Sequence, residues 1–198
     1  MICLACRRST AGRLCEDCGE QLRPAPDRSL EGGLRVRSAY LHRGAARSLV
    51  HNLKYRGVPG AGHLLAEAMA NLIPPASALI PVPRVGWRKL KHGIDPAAVL
   101  ATRLAHLTGG RRQDLLIPPL FGASQAKASR DHRKPPIFGA MDFPVGPVVL
   151  VDDVVTTGGT VLSAWRALGF TPALVVSATS VDGSLNAVGG LPGREIRG

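Results

Sequence analysis

Apolar residues follow two rhythms along this chain. Short unbroken runs stand at 78–82 (Ala-Leu-Ile-Pro-Val) and 148–151 (Val-Val-Leu-Val), 173–181 gives a last strand interrupted by Ser177, Thr179 and Ser180, and between these stretches apolar positions recur every three or four residues. The unbroken runs predict strands buried on both faces of a parallel sheet; the periodic stretches predict amphipathic helices. A helix is expected at 44–53, where Ala46, Leu49, Val50 and Leu53 share a face and Gly57 stops the pattern. Others are expected at 64–72 and after Asp95-Pro96, a good cap and first-turn pair, with Ala97, Leu100, Leu104 and Leu107 on one face before Gly109-Gly110. Loose alternation at 35–41 puts Val36, Ser38 and Tyr40 on one side and predicts an edge strand, with a further short strand at 115–117. Strands alternating with helices describe an α/β domain.

The stretch 148–168 organises the rest. Its strand is expected to end at Asp152 and Asp153, after which Thr156, Thr157, Gly158, Gly159 and Thr160 lead into a helix with Val161, Leu162, Ala164, Trp165 and Leu168 on one face, closed by Gly169. Successive backbone N–H groups in a Gly-rich turn at a helix N-terminus form an anion-binding concavity, and threonine hydroxyls add uncharged donors. Adjacent carboxylates just before that turn can accept hydrogen bonds from vicinal hydroxyls or face a cation held by the ligand. Phosphate at one end and diol at the other describe a ribose 5-phosphate. The plain alternative is an Asp-Asp strand end with a Gly-Gly turn of no function.

Residues 149–160 resemble the phosphoribosyl pyrophosphate (PRPP) signature of the type I phosphoribosyltransferases: an apolar strand, two acids, then a Thr/Gly loop. The stretch is not a Walker loop, because no Gly-Lys-Ser/Thr follows, and not a dinucleotide fingerprint, because the acids precede the glycines.

Cys3, Cys6, Cys15 and Cys18 are the only cysteines, two Cys-x-x-Cys pairs separated by eight residues. Each pair can offer two thiolates to one ion, and Zn²⁺ is the default metal. With four sulfurs filling its coordination the ion is structural, and Arg7, Arg8, Arg13 and Arg23 are expected to offset the thiolate charge. Residues 24–33 read as a linker. No stretch approaches the apolar length of a membrane span, and Met1-Ile2-Cys3 leaves no room for a signal peptide, so a cytoplasmic protein is expected, which argues against paired disulfides.

The 198 residues suffice for one α/β domain with a small appendage, and they carry a formal charge of +11. Between Glu31 and Asp95 the one acid, Glu67, stands against ten basic residues: Arg35, Arg37, Arg43, Arg47, Lys54, Arg56, Arg84, Arg88, Lys89 and Lys91. Such a field attracts polyanions, either a pyrophosphate-bearing metabolite or a nucleic acid, or is simply a solvated basic surface. Lys54 either complements its helix dipole or ligates phosphate. Residues 124–134 are almost free of apolar side chains and cationic, as a lid over pyrophosphate or a plain surface loop would be.

Taken together the chain resembles the ComF family, competence-associated proteins with a type I phosphoribosyltransferase-like domain and an N-terminal zinc knuckle. The resemblance rests on the double Cys-x-x-Cys, Lys54-Tyr55-Arg56-Gly57, Pro81-Val82-Pro83, Gln125 with Arg130 and Arg133 before Gly139-Ala140, and the run from Asp152 to Thr160. It implies a parallel sheet flanked by helices, divided as knuckle and linker at 1–30, phosphoribosyltransferase-like domain at 31–182 and a frayed tail at 183–198. It also implies PRPP bound with Mg²⁺ and phosphoribose transferred to an unnamed acceptor, in a setting of competence and DNA uptake. The residues this assigns are Asp152, Asp153, Arg130 and Arg133 for catalysis, and Arg84, Lys127, Val155, Thr156, Thr157, Gly158, Gly159 and Thr160 for PRPP. Two positions depart from the family: Gly93-Ile94-Asp95-Pro96 stands where Gly-Phe-Asn-Gln is usual, and Pro136 where an Asn usually follows the lid arginine. A second class of function fits the same chain, a non-catalytic single-stranded DNA-binding module partnered with DNA-uptake proteins. The charge favours it, and an aromatic content of 4% counts against a stacking platform.

Overall fold

The structure, a computed structural model, describes residues 1–84, 94–119, 135–142, 144, 146–170 and 173–181. The basic run Arg88, Lys89 and Lys91, the segment 124–134 and the tail 183–198 lie outside the described residues.

A six-stranded sheet forms the centre, in the order β1-β2-β8-β7-β3-β4. Its strands are β1 (Arg28–Ser29), β2 (Arg35–Leu41), β3 (Ala78–Pro81), β4 (Arg111–Arg112), β7 (Val148–Val155) and β8 (Ala173–Ser180). β1 runs antiparallel to β2, and every other pairing is parallel. A separate antiparallel pair joins β5 (Leu116–Ile117) to β6 (Gly139–Ala140). The helices are α1 (Glu16–Glu20), α2 (Gly44–Arg56), α3 (Pro59–Ala70), α4 (Pro96–Thr108) and α5 (Gly159–Ala167).

The two faces of β7 explain why its run is unbroken. Val149 and Val151 pack with Leu49 and Leu53 of α2, Leu65 and Met69 of α3, and Leu100 and Leu104 of α4. Val148 and Leu150 pack on the other face with Val161 and Ala164 of α5, Leu168 and Phe138. Alternate side chains point to opposite faces, so a strand covered by helices on both sides needs apolar residues at every position. Cys3, Ala5 and Cys18 join the first of these cores, which seats the cysteine-bearing segment on α2 and α3.

The expected ends of several elements move. β7 runs through both aspartates rather than stopping at them, because β8 continues alongside: Asp152 pairs with Ser177, Val154 with Thr179 and Val155 with Ser180. A charged side chain leaves its backbone free to pair, and β-branched residues suit extended chain. β2 is not the outermost strand, since Arg28 and Ser29 pair with Val36 and Arg35. Leu107 is 42% exposed, while Ala101 is buried and completes the stripe with Ala97, Leu100 and Leu104. α3 starts at Pro59, and Gly57 and Gly109 close α2 and α4 in the left-handed conformation as expected.

Candidate functional site

The chain leaves β3 for β4 on one side and β7 for β8 on the other, so the strand order reverses between β3 and β7. In open α/β sheets the crevice beyond the strand ends at such a switch point is where ligands bind. Pro81 pairs with Val151, which puts Arg84 just beyond one strand and Asp152 and Asp153 in the stretch of its neighbour that extends past that pairing.

The last turn of α2 reaches this edge. Lys54 Nζ donates to Asp153 Oδ1 at 2.9 Å, with the lysine side chain 20% and the aspartate 9% exposed. Beside it the Arg84 guanidinium lies 5.7 Å from the ring centroid of Tyr55, within cation–π range. The Arg84 backbone N–H donates to Asp95 Oδ2 at 3.2 Å. Asp95 holds the N-cap position of α4 but makes no capping bond with its side chain, and its Oδ1 is buried without a partner among the described residues. Thus Lys54-Tyr55, Pro83-Arg84 and Asp152-Asp153, far apart in sequence, meet at one edge.

Asp152 accepts from the Asp153 backbone N–H at 2.7 Å. Burial first, and the neighbouring Asp153 charge second, push its carboxyl well above the usual carboxylate range, against the opposing pull of Lys54. Thr179 Oγ1 donates to the Asp153 carbonyl at 3.2 Å and lies 2.8 Å from His42 Nδ1.

Gly158 caps α5 with φ 88° and ψ −4°, a conformation that favours glycine. A Cβ there would stand 2.5 Å from Leu30 Cδ1, so a side chain would also force Leu30 to shift. Thr156, Thr157 and Thr160 are exposed, and Gly159 is half-buried against Pro135. The Val155 side chain is buried in the core and its carbonyl accepts from the Val181 N–H at 3.2 Å, leaving it the foundation of the loop. Pro136, one of the two departures from the family pattern, offers its carbonyl to Ser163 Oγ on α5. Lys127, Arg130 and Arg133 lie outside the described residues.

The four cysteine sulfurs lie within 4.8 Å of one another, with Cys6 and Cys15 Sγ 3.7 Å apart. Four thiolates roughly 2.3 Å from one ion stand about 3.8 Å apart at tetrahedral angles, so the donor set fits a metal such as zinc. The Cys15 N–H donates to Cys3 Sγ at 3.4 Å, which orients a sulfur for that role. Arg8 donates to Cys6 at 3.5 Å and holds Asp17 at 2.6 Å, and that guanidinium lowers the Cys6 thiol to about 6. Burial pushes Cys18 up to about 12. Of the four arginines expected around the sulfurs, Arg13 instead pairs with Glu67 and Arg23 donates to the Glu20 and Leu22 carbonyls. Asn52 Nδ2 donates to the Leu4 and Ala5 carbonyls at 2.7 and 2.9 Å, tying this cluster to the helix that carries Lys54.

Two contacts of the site had no signal in the sequence. Lys54 was open between two roles, and nothing pointed to Asp153 as its partner. Arg28, read as linker, donates to the Thr156 carbonyl at 2.8 Å across 128 positions of sequence.

No family model matches the sequence, and neither does any curated protein. Among solved structures the chain is similar to the allosteric regulatory enzyme of purine biosynthesis, at 20% identity and TM-score 0.43 over 65% of this chain and 30% of that one. It is similar to adenine phosphoribosyltransferase from Leishmania donovani at 16% identity and TM-score 0.40, over 78% of this chain and 75% of that one. It is also similar to orotate phosphoribosyltransferase from Aeropyrum pernix at 21% identity and TM-score 0.34, over 81% and 78% of the two chains. The chain thus spans 30% of the length of the first of these proteins.

Proposed function

We propose that this chain is a ComF-like phosphoribosyltransferase that binds PRPP with Mg²⁺ in the crevice between β3 and β7 and transfers phosphoribose to an acceptor, releasing pyrophosphate. The observation that carries this reading is the junction of β7 and α5, where adjacent carboxylates near the end of the strand lead, after two further residues, into a Thr/Gly turn at a helix start, beside a strand-order reversal.

Departure of pyrophosphate leaves an oxocarbenium-like sugar, so the site needs to neutralise the leaving group more than to supply a nucleophile. In this reading Asp152 and Asp153 accept from the ribose hydroxyls, and residues 156–160 hold the 5-phosphate through backbone N–H groups and threonine hydroxyls. Arg84 stabilises the pyrophosphate together with Lys127, Arg130 and Arg133, whose lid role rests on the sequence. Two neighbouring carboxylates, one already drawing Lys54, are a donor set suited to a divalent cation. Asp152 and Asp153 are the residues that would hold Mg²⁺ near the diphosphate, where it would help neutralise leaving-group charge. Zn²⁺ in the four-cysteine cluster is structural, and a role in competence follows from the family resemblance.

Competition tests this reading against the DNA-binding one. Wild-type protein whose melting temperature rises with PRPP and Mg²⁺, and whose binding of a labelled single-stranded oligonucleotide is absent or displaced by PRPP, supports the transferase reading. Oligonucleotide binding that falls steeply with salt, in protein that ignores PRPP, overturns it in favour of the DNA module.

A further inference from the structure

The segment between the cysteine cluster and β2 meets the proposed phosphate loop at two points and α5 at two more. Arg28 donates from one guanidinium nitrogen to the Thr156 carbonyl at 2.8 Å and from another to the Val181 carbonyl at 3.3 Å. Val181 in turn donates from its N–H to Val155, so the exits of β7 and β8 and the start of the loop are joined through Arg28. Two residues on, Leu30 sits so close to Gly158 that a Cβ there would meet it at 2.5 Å. Gly32 backs onto the Trp165 ring of α5, where a Cβ would stand 2.9 Å away, and Glu31 pairs with Arg166 of the same helix at 3.6 Å.

An exposed carbonyl at the rim of an anion site repels the anion, and a charged donor that engages it removes that repulsion while leaving positive charge nearby. The rigid fork of a guanidinium can also span two carbonyls while keeping a full positive charge. We propose that Arg28 is a positioning residue for the phosphate loop, holding the Thr156 carbonyl and supplying a cation behind residues 156–160 so that a phosphate monoester is bound there. This inference rests on the function proposed above. It assigns the segment 28–33, which reads as linker in the sequence, to the site itself.

The test compares wild type with Arg28→Met and Arg28→Lys, titrating ribose 5-phosphate and pyrophosphate separately in the presence of Mg²⁺, with thermal melts alongside. Arg28→Met is expected to weaken ribose 5-phosphate by at least about tenfold, the size of a lost charge-assisted hydrogen bond, and to leave pyrophosphate affinity unchanged. Arg28→Lys, which keeps the charge but cannot span both carbonyls, is expected to recover part of the loss. A merely structural role weakens both ligands together, and that result, or no change in either, overturns the inference. Should Arg28→Met fail to fold, Arg28→Lys carries the same comparison: selective weakening of ribose 5-phosphate supports the inference, and equal or no weakening overturns it. Wild-type protein that binds neither ligand overturns the proposed function and this inference with it; wild-type binding that survives intact in the folded variants overturns this inference alone.

Discussion

Lys54, on the last turn of α2, donates to Asp153, near the end of β7, at 2.9 Å with both side chains largely withdrawn from water. The contact joins two sequence motifs 99 positions apart, and it places a cation against the carboxylate pair on which the proposed chemistry depends.

Removing one partner strands the other. Lys54→Met leaves Asp153 buried beside Asp152 without its cation, and a broken buried pair costs about 3 kcal/mol or more. Lys54→Met/Asp153→Asn removes both charges and is expected to regain most of that loss. Urea denaturation of both single variants and the double variant gives the coupling energy, and additive effects would show that the pair contributes nothing.

Asp152 gives a pH dependence of defined sign. Burial and then the Asp153 charge hold its carboxyl above the usual range, so the folded protein keeps that proton more tightly than the unfolded chain does. The group therefore costs nothing below its unfolded value of about 3.9, and its cost is complete only above the raised folded value. Asp152→Asn is expected to melt higher than wild type at neutral pH, by on the order of 2–4 °C for each kcal/mol relieved, with the gain fading toward about pH 4. A variant that melts lower than wild type at neutral pH would show that its ionised form is the stabilised one.

The cysteine cluster is coupled to the site through α2. Because Asn52 holds the Leu4 and Ala5 carbonyls, Asn52→Ala leaves two acceptors unmatched at a buried contact, at a cost of about 1–3 kcal/mol. Purified protein is expected to carry zinc by elemental analysis, and chelation is expected to lower the melting temperature far less in a Cys3→Ser/Cys6→Ser variant than in wild type. Protein free of metal with an unchanged melt in chelator would contradict the zinc assignment.

Much of this architecture was legible because local pattern and burial agree. The unbroken runs of β3 and β7 announced strands covered on both faces, and Gly57 and Gly109 announced helix ends. Four cysteines in the first eighteen residues announced one cluster. What escaped depended on partners distant in sequence. The pairing of Val154 and Val155 needed β8 to continue beside them, and β1 needed β2 to make a two-residue strand visible. Arg28 gave no local signal because its acceptors, Thr156 and Val181, come together only when β7 and β8 are side by side. The edge at which Lys54, Arg84, Asp152 and Asp153 meet was legible in part: the acids beside the Thr/Gly turn pointed to a ligand site and Lys54 was open to a phosphate role, but the contact between Lys54 and Asp153 is a product of the fold.

The central claim is that the end of β7 and the loop after it bind PRPP, and calorimetric titration of PRPP with Mg²⁺ into zinc-loaded protein tests it most directly, with Asp152→Asn/Asp153→Asn titrated beside it. The account predicts binding near roughly micromolar Kd in the wild type and its loss in a variant that still melts cooperatively. No heat of binding in folded wild-type protein, or equal binding by the variant, would contradict it.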